Sequence, residues 1–360
     1  MMIADGKVKT VMLHDASSER KDANKLLEHM LQALETMERD HKVTVIGFTT
    51  DSSGESLKAR KLLKQLRPDL IVLPCYAHQV NLVVGVYFKS GAPFLKYADQ
   101  ADELITWLRS KTYVLALLRD TQVKDNPDRT PLSVIRAVLT RWIAHYLAYT
   151  RLLELRPSLQ HMVDDDDYRG TSQLVDPKLK RTAKAKAQQM VNLIRDNLFW
   201  HSLARIKNHL EPLAMAANIT QADNARLDSV LLTFALLYHH FDTLSDPSEA
   251  SVRTAVTETI DDRWMKADQD VFIAAIILHP DYMTKPFRKD PSAGIFFSPV
   301  NVYTLMARLY HRFFREPPPR SLLDEVRDYL EHRGRYSGFA ALFAQLEEQS
   351  FYDIAEVCEI

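Results

Sequence analysis

Residues 43–87 read VTVIGFTTDSSGESLKARKLLKQLRPDLIVLPCYAHQVNLVVGVY, and this stretch decides the fold. Two short runs rich in β-branched residues, Val43–Phe48 and Leu70–Leu73, are each followed by a helical pattern. Parallel strands need a crossover of a dozen or more residues, usually a helix, so a strand–helix–strand–helix unit builds a parallel sheet. Val43–Phe48 is therefore expected to pair in parallel with Leu70–Leu73. In open α/β sheets, chemistry gathers beyond the carboxyl ends of the strands. Asp51 stands there after the first run, and Cys75 and His78 after the second.

Upstream, Asp5-Gly6 is a turn signal, and Val8, Val11 and Leu13 follow as a strand, so residues 1–15 read as the end of a hairpin. Asp22 is placed to cap a helix running to about Arg39, with Leu26, Leu27, Met30, Leu31 and Leu34 on one apolar face. Ser52 or Ser53 caps the helix that carries Leu57, Leu62, Leu63 and Leu66 and stops before Pro68. A third helix begins near Pro74 or Cys75 and reaches about Lys89.

Beyond Gly91 the pattern is helical, with almost no strand signal. Helices are expected over 93–109, 112–121, 131–155, 181–208, 227–244, 251–278, 299–315 and 320–334, with a short one near 338–357. Breaks fall at Pro127, 164–177, 245–248, 279–298 and Pro317–Pro319. No fixed-period repeat supports a solenoid.

Composition narrows the classes. The 360 residues suffice for about two domains, and a formal net charge of −1 leaves no global basic field, so any nucleic-acid surface is a local patch. Only 9 glycines and a charged fraction of 26% favour a helix-rich globular chain over a β-sandwich or disorder. Two cysteines, Cys75 and Cys358, are too few for a disulfide framework. The segment MMIADGKVKT lacks an apolar secretory core, and no run approaches the ~20 apolar residues of a membrane span. A nuclear or cytoplasmic protein with no membrane partner is expected. No GxSxG, HExxH, Walker or dinucleotide motif is present, so no small-molecule substrate is indicated.

Three segments, TTDSSGESLKARKLL, LPCYAHQVNLVV and LTRWIAHYLAYTRLLEL, together resemble the catalytic core of hAT-family transposases, especially the fungal members. The resemblance covers nearly the whole chain in order and kind. It rests on an Asp after a core strand (Asp51), a Cys-x-x-His opening the next helix (Cys75, His78), and an Arg-Trp pair entering the insertion domain (Arg141, Trp142). It implies a partial ribonuclease-H-like α/β unit over 1–91 and a mainly helical insertion-type domain over 92–360. It implies also DNA as partner, possible self-association, and a centre in which three acids hold two Mg²⁺ or Mn²⁺ ions. Only Asp51 of those acids is matched. The family's Asp-Gly-Trp strand would lie before Met1, and its Ser-Glu-Arg segment is not present before Ile360. The expectation is a transposase-like protein or fragment that is catalytically incomplete, its missing pieces falling at the two ends; the alternatives are a non-enzymatic protein-interaction module and a metal-dependent DNA transposase or nuclease completed by the missing segments.

Each candidate residue has a second reading. Asp51 is either an ancestral metal-ligand position or a cap for the helix that follows. Cys75 and His78 share one helical face, but zinc needs two more ligands that no second pair supplies, so a buried pair supporting the site is favoured. The resemblance gives Trp142 the role of stacking on an unpaired base with Arg141 near phosphate; a core tryptophan is the alternative. The basic run Lys178, Lys180, Arg181, Lys184 and Lys186 either tracks a DNA backbone or is a solvated helix start after the acidic Asp164–Asp167. Lys58, Arg60, Lys61 and Lys64 have the same two readings. His239 and His240 are adjacent and face different ways, which suits no metal.

Overall fold

From Ala23 to Lys89 the chain alternates helix and strand. Helix α1 (Ala23–Asp40) is followed by strand β3 (Gly47–Thr50), helix α2 (Gly54–Leu66), strand β4 (Ile71–Pro74) and helix α3 (Tyr76–Lys89). Before them, β1 (Met2–Ala4) and β2 (Lys7–Lys9) pair antiparallel with Ile3 opposite Val8, as the Asp5-Gly6 signal led one to expect. The structure is a computed structural model that describes residues 2–4, 7–15, 17–136, 143–170, 172–222, 224–287 and 298–338.

β3 and β4 pair in parallel, with Phe48 opposite Val72 and Thr49 opposite Leu73. The pairing is the expected one, but the ladder sits later in the chain than Val43–Phe48. The reason is local. Leu70 donates its N–H to the Arg67 carbonyl at 3.1 Å and is still part of the turn after α2, so β4 starts only at Ile71. Val43 and Val45 therefore have no residue of β4 opposite them. They pack instead beside the cluster of Met30, Leu34, Met37, Ala59, Leu63 and Leu70 that joins α1 to α2. A lone two-stranded sheet is marginal in water, and this shared apolar cluster gives it a covered face. β1 and β2 form a separate sheet, and the ladder of β2 ends at Lys9, well short of Leu13. The described chain is thus mostly helical with one small parallel sheet and one hairpin.

The helices that follow are α4 (Lys96–Arg109), α5 (Thr112–Asp125), α6 (Ile143–Glu154), α7 (Arg156–Arg169), α8 (Arg181–Arg195), α9 (Asn197–Gln221) and α10 (Leu227–Asp242). They continue with α11 (Ala250–Lys266), α12 (Gln269–Ile277), α13 (Pro299–Phe314) and α14 (Ser321–Leu330). Four expectations needed correction. Residues 131–136 are not helical, and of the helix expected over 131–155 only Ile143–Glu154 is described. The expected helix 181–208 is two helices, broken at Asp196, whose carboxylate takes the Leu198 N–H at 2.8 Å and starts α9. The expected helix 251–278 is likewise interrupted, at residues 267–268. The acidic run Asp164–Asp167, read as a break, lies inside α7. Residues 339–357, expected as a short helix, fall outside the described residues.

Two compact units emerge, both discontinuous in sequence. The first comprises the described parts of Met1–Gln79, Ala222–Thr233 and Asp261–Ile360. The second comprises those of Val80–Gln221 and Phe234–Ile260. This partition is not the single division at 91–92 expected from sequence. In the first unit, Arg312 on α13 donates to the Leu70 carbonyl at 2.6 Å and pairs with Asp268 at 2.7 Å, while Tyr76 meets Phe272 edge to face. The core of the second is built on Tyr87, Tyr149, Phe199, Trp200 and Phe241, all essentially without solvent exposure. No helix among the described residues is long and apolar enough to cross a membrane.

Candidate functional site

The carboxyl ends of β3 and β4 bring Asp51, Cys75 and His78 to the same edge. Asp51 follows Thr50, the last residue of β3, and Cys75 follows Pro74, the last of β4. The Cys75 N–H donates to the Thr50 carbonyl at 2.7 Å, which carries the ladder one step past the strands. The Cys75 carbonyl then accepts the Gln79 N–H at 3.0 Å and opens α3. Cys75 and His78 are half-buried, and Cys75 is a free thiol.

Asp51 itself is turned towards α2. Its Oδ1 accepts the Ser53 backbone N–H at 3.2 Å. Ser53 is the N-cap of α2 and accepts the Ser56 N–H at 3.3 Å, while its hydroxyl donates to Ser56 Oγ at 2.9 Å. A hydrogen bond from the Ser56 hydroxyl holds the Asp51 carboxyl below the usual carboxylate range; partial burial opposes this, and the Ser53 donors and nearby His78 add to it. The sequence places serines here because short hydroxyl side chains satisfy the free amides of a helix start. Gln79 on α3 donates to Ser52 Oγ at 2.5 Å and ties the loop down.

Arg60 lies beneath this loop. It is buried, 6% exposed, and its Nη1 donates to Thr50 Oγ1 at 2.5 Å and also to the Asp51 carbonyl. Burial pushes its guanidinium below the ordinary value, with the Asp51 charge opposing. The reading of Lys58, Arg60, Lys61 and Lys64 as one cluster does not survive. Lys58 and Lys61 are exposed, Arg60 is internal, and Lys64 approaches Asp268 at 3.9 Å.

These residues do not fit two hard cations. Mg²⁺ takes oxygen donors in octahedral geometry, and a paired site needs several carboxylates. Among the described residues, no two further His, Cys, Asp or Glu side chains join Asp51 or the Cys75–His78 pair to make a ligand group within 4.8 Å. The cation nearest the Asp51 backbone is the protein's own Arg60.

The basic run divides. Lys186 pairs with Glu103 at 2.6 Å. Lys178, Lys180, Arg181 and Lys184 are exposed and have no ion-pair partner among the described residues. Lys180 is the N-cap of α8, makes no side-chain cap, and no acid stands in the first turn. Free helix amides together with cations form an anion-seeking surface. Three of the four preceding acids are engaged elsewhere. Asp165 pairs with Arg169 at 2.8 Å, Asp167 with Arg195, and Asp166 takes the N–H groups of Gln173 and Leu174 at 2.7 and 3.0 Å. Arg141 and Trp142 lie outside the described residues.

Sequence reasoning missed a recess in the second unit. A cavity of about 390 Å³ is lined by His201, Arg205, Asn208, His209, His240 and Glu249, among others. His209 Nε2 lies 3.2 Å from Glu249, and its Nδ1 is hydrogen-bonded to the Tyr87 hydroxyl at 3.3 Å. Burial, with the charges of His240 and Arg205, lowers the His209 imidazole to about 4, and burial raises the Glu249 carboxyl. Arg205 also pairs with Asp246 at 3.2 Å. Tyr87, His209, Glu249, Arg205 and Asp246 meet one another in this network, while His240 Nε2 is buried without a hydrogen-bond partner among the described residues. Tyr87 and His209 alone are 122 positions apart, and no local motif announces the group.

No protein-family model and no curated protein matches this chain.

Proposed function

We propose that this chain is an hAT transposase-like protein that binds DNA and does not itself form a DNA-cutting metal centre. One observation carries the reading. Asp51 stands at the carboxyl end of a parallel strand pair, beside the Cys75–His78 helix start, yet its carboxylate is spent on the Ser53 amide. The position is that of a catalytic acid in the family it resembles; its present work is to hold a helix start. The free cations Lys180, Arg181 and Lys184 at the amide end of α8 are the proposed phosphate contacts. Arg141 and Trp142 are proposed to add a phosphate contact and a base stack, the latter worth roughly 1–3 kcal/mol.

The test is binding to duplex and hairpin DNA as a function of salt. Phosphate contacts release counterions, so log Kd against log salt should have a slope of several units. No binding at low salt would sink the DNA reading and leave a protein-interaction module.

A further inference from the structure

Three side chains outside the Asp51 loop converge on the segment between β2 and α1 and on α1 itself. His14 Nε2 lies 2.8 Å from Glu19 Oε1, and His29 Nε2 lies 2.8 Å from Glu19 Oε2. The two imidazole centroids are 4.0 Å apart, and the three donor atoms all lie within 4.8 Å of one another. Neither imidazole has another hydrogen-bond partner among the described residues.

The backbone prepares the convergence. Asp15 Oδ1 takes both the N–H and the hydroxyl of Ser17, at 3.0 and 2.5 Å, and bends the chain between His14 and Glu19. His29 is presented from the second turn of α1, a helix fixed by the buried Met30, Leu34 and Met37. Side-chain exposure falls from 38% at His14 to 24% at Glu19 and 19% at His29, so the group is walled on one side and open on the other.

The chemistry is that of a borderline metal. Around a tetrahedral ion with bonds near 2.0–2.1 Å, neighbouring donor atoms sit about 3.3 Å apart. Each histidine needs to move away from Glu19 by only some tenths of an ångström. Two imidazoles and one carboxylate, with a fourth position facing water, suit Zn²⁺ and its neighbours; Mg²⁺ and Ca²⁺ prefer oxygen donors alone. We propose that His14, Glu19 and His29 bind one divalent transition-metal ion of the zinc type and so tie the segment after β2 to α1. This site is independent of the reading of Asp51 and of DNA binding.

The experiment uses the full chain, freed of any affinity-tag histidines and stripped with a chelator. Zn²⁺ is titrated in competition with a chromophoric chelator, and Co²⁺ is followed by its visible bands. One equivalent with the intense bands of four-coordinate Co²⁺ is expected, unaffected by excess Mg²⁺. His14→Ala, which lies outside any helix, should weaken binding about 100-fold, because loss of even an outer partner of a ligand costs about 10–100-fold. Glu19→Gln should weaken it about tenfold or more. Circular dichroism confirms that the variants remain folded. Absence of stoichiometric Zn²⁺ binding, or binding unchanged in His14→Ala, would overturn the proposal.

Discussion

Asp51 Oδ1 receives the backbone N–H of Ser53 at 3.2 Å, just beyond the end of β3. That one contact separates the two readings of the strand-end acid. A carboxylate used as a metal ligand must be a carboxylate; a side chain used to hold a helix start only needs an acceptor oxygen. Asp51→Asn keeps an acceptor oxygen and loses only the charge that its donors favour, so it is expected to cost less than Ser53→Ala, which should cost about 1 kcal/mol. Urea denaturation of both variants checks this. A large loss in Asp51→Asn with none in Ser53→Ala would show that the carboxylate charge, and not the cap, matters.

The proposed phosphate contacts at the start of α8 can be tested directly. Replacing Lys180, Arg181 and Lys184 together by alanine should reduce the log–log salt slope of duplex binding by about 2–3 units, at about 0.9 for each phosphate no longer neutralised. Lys186→Ala, already paired to Glu103, should leave the slope nearly unchanged. Fluorescence anisotropy across a salt series measures both. Equal effects from the two variants would remove α8 as the DNA-binding surface.

Asp69 is a stability switch at low pH. Burial opposes its ionisation, yet hydrogen bonds from Arg67 and Arg315 hold its carboxyl down at about 2, with Arg67 at 3.0 Å and Arg315 at 2.6 Å. Its folded value is depressed, so its contribution is complete above the unfolded value near 3.9 and disappears as pH falls towards about 2. After solvent screening that contribution is about 1 kcal/mol. Urea midpoints between about pH 5 and pH 2 should fall less steeply for Asp69→Asn than for the native chain.

His209 gives the complementary signature at mildly acid pH. Its folded value is lowered to about 4 by burial and the neighbouring His240 and Arg205, so the unfolded chain takes up a proton first. Stability from this group is present above the unfolded value near 6.5 and is lost as pH falls from there to about 4, on the order of 2–3 kcal/mol in all. Burial raises the carboxyl of Glu249, 3.2 Å away. His209→Gln should be less stable at about pH 7.5, where Tyr87 loses its partner, and should show a flatter stability profile between about pH 7 and pH 4. An unchanged profile would show that His209 does not titrate with folding.

Much of the α/β region was legible because its signals are local. The period of Leu26, Met30 and Leu34, the serines before α2 and Pro68 after it each act within a few residues, and all three helices of that region appear where those signals put them. The parallel pairing followed from the crossover length alone. The register of β3 did not, because it depends on where the turn from Arg67 to Leu70 lets β4 begin. α7 was hidden because four consecutive aspartates read as a loop; three of them are met within the fold, Asp165 by Arg169, Asp167 by Arg195 and Asp166 by two backbone amides, and Gly170 ends the helix at φ 61°. The break at Asp196 was invisible because apolar periodicity runs on through it. Arg60 was assigned to a charged surface because the acceptors that hold it inside are Thr50 and the Asp51 carbonyl at the end of β3, which no side-chain pattern records. The Tyr87–His209–Glu249 network was out of reach for the same reason: its members meet only after the helices pack.

The most direct test of the central claim is a nicking assay on supercoiled plasmid with purified chain and Mg²⁺ or Mn²⁺. If Asp51 serves as the anchor of a helix start and no two-metal centre forms on these 360 residues, the plasmid stays supercoiled with the native chain and with Asp51→Ala alike. Metal-dependent nicking by the native chain that Asp51→Ala abolishes would contradict it.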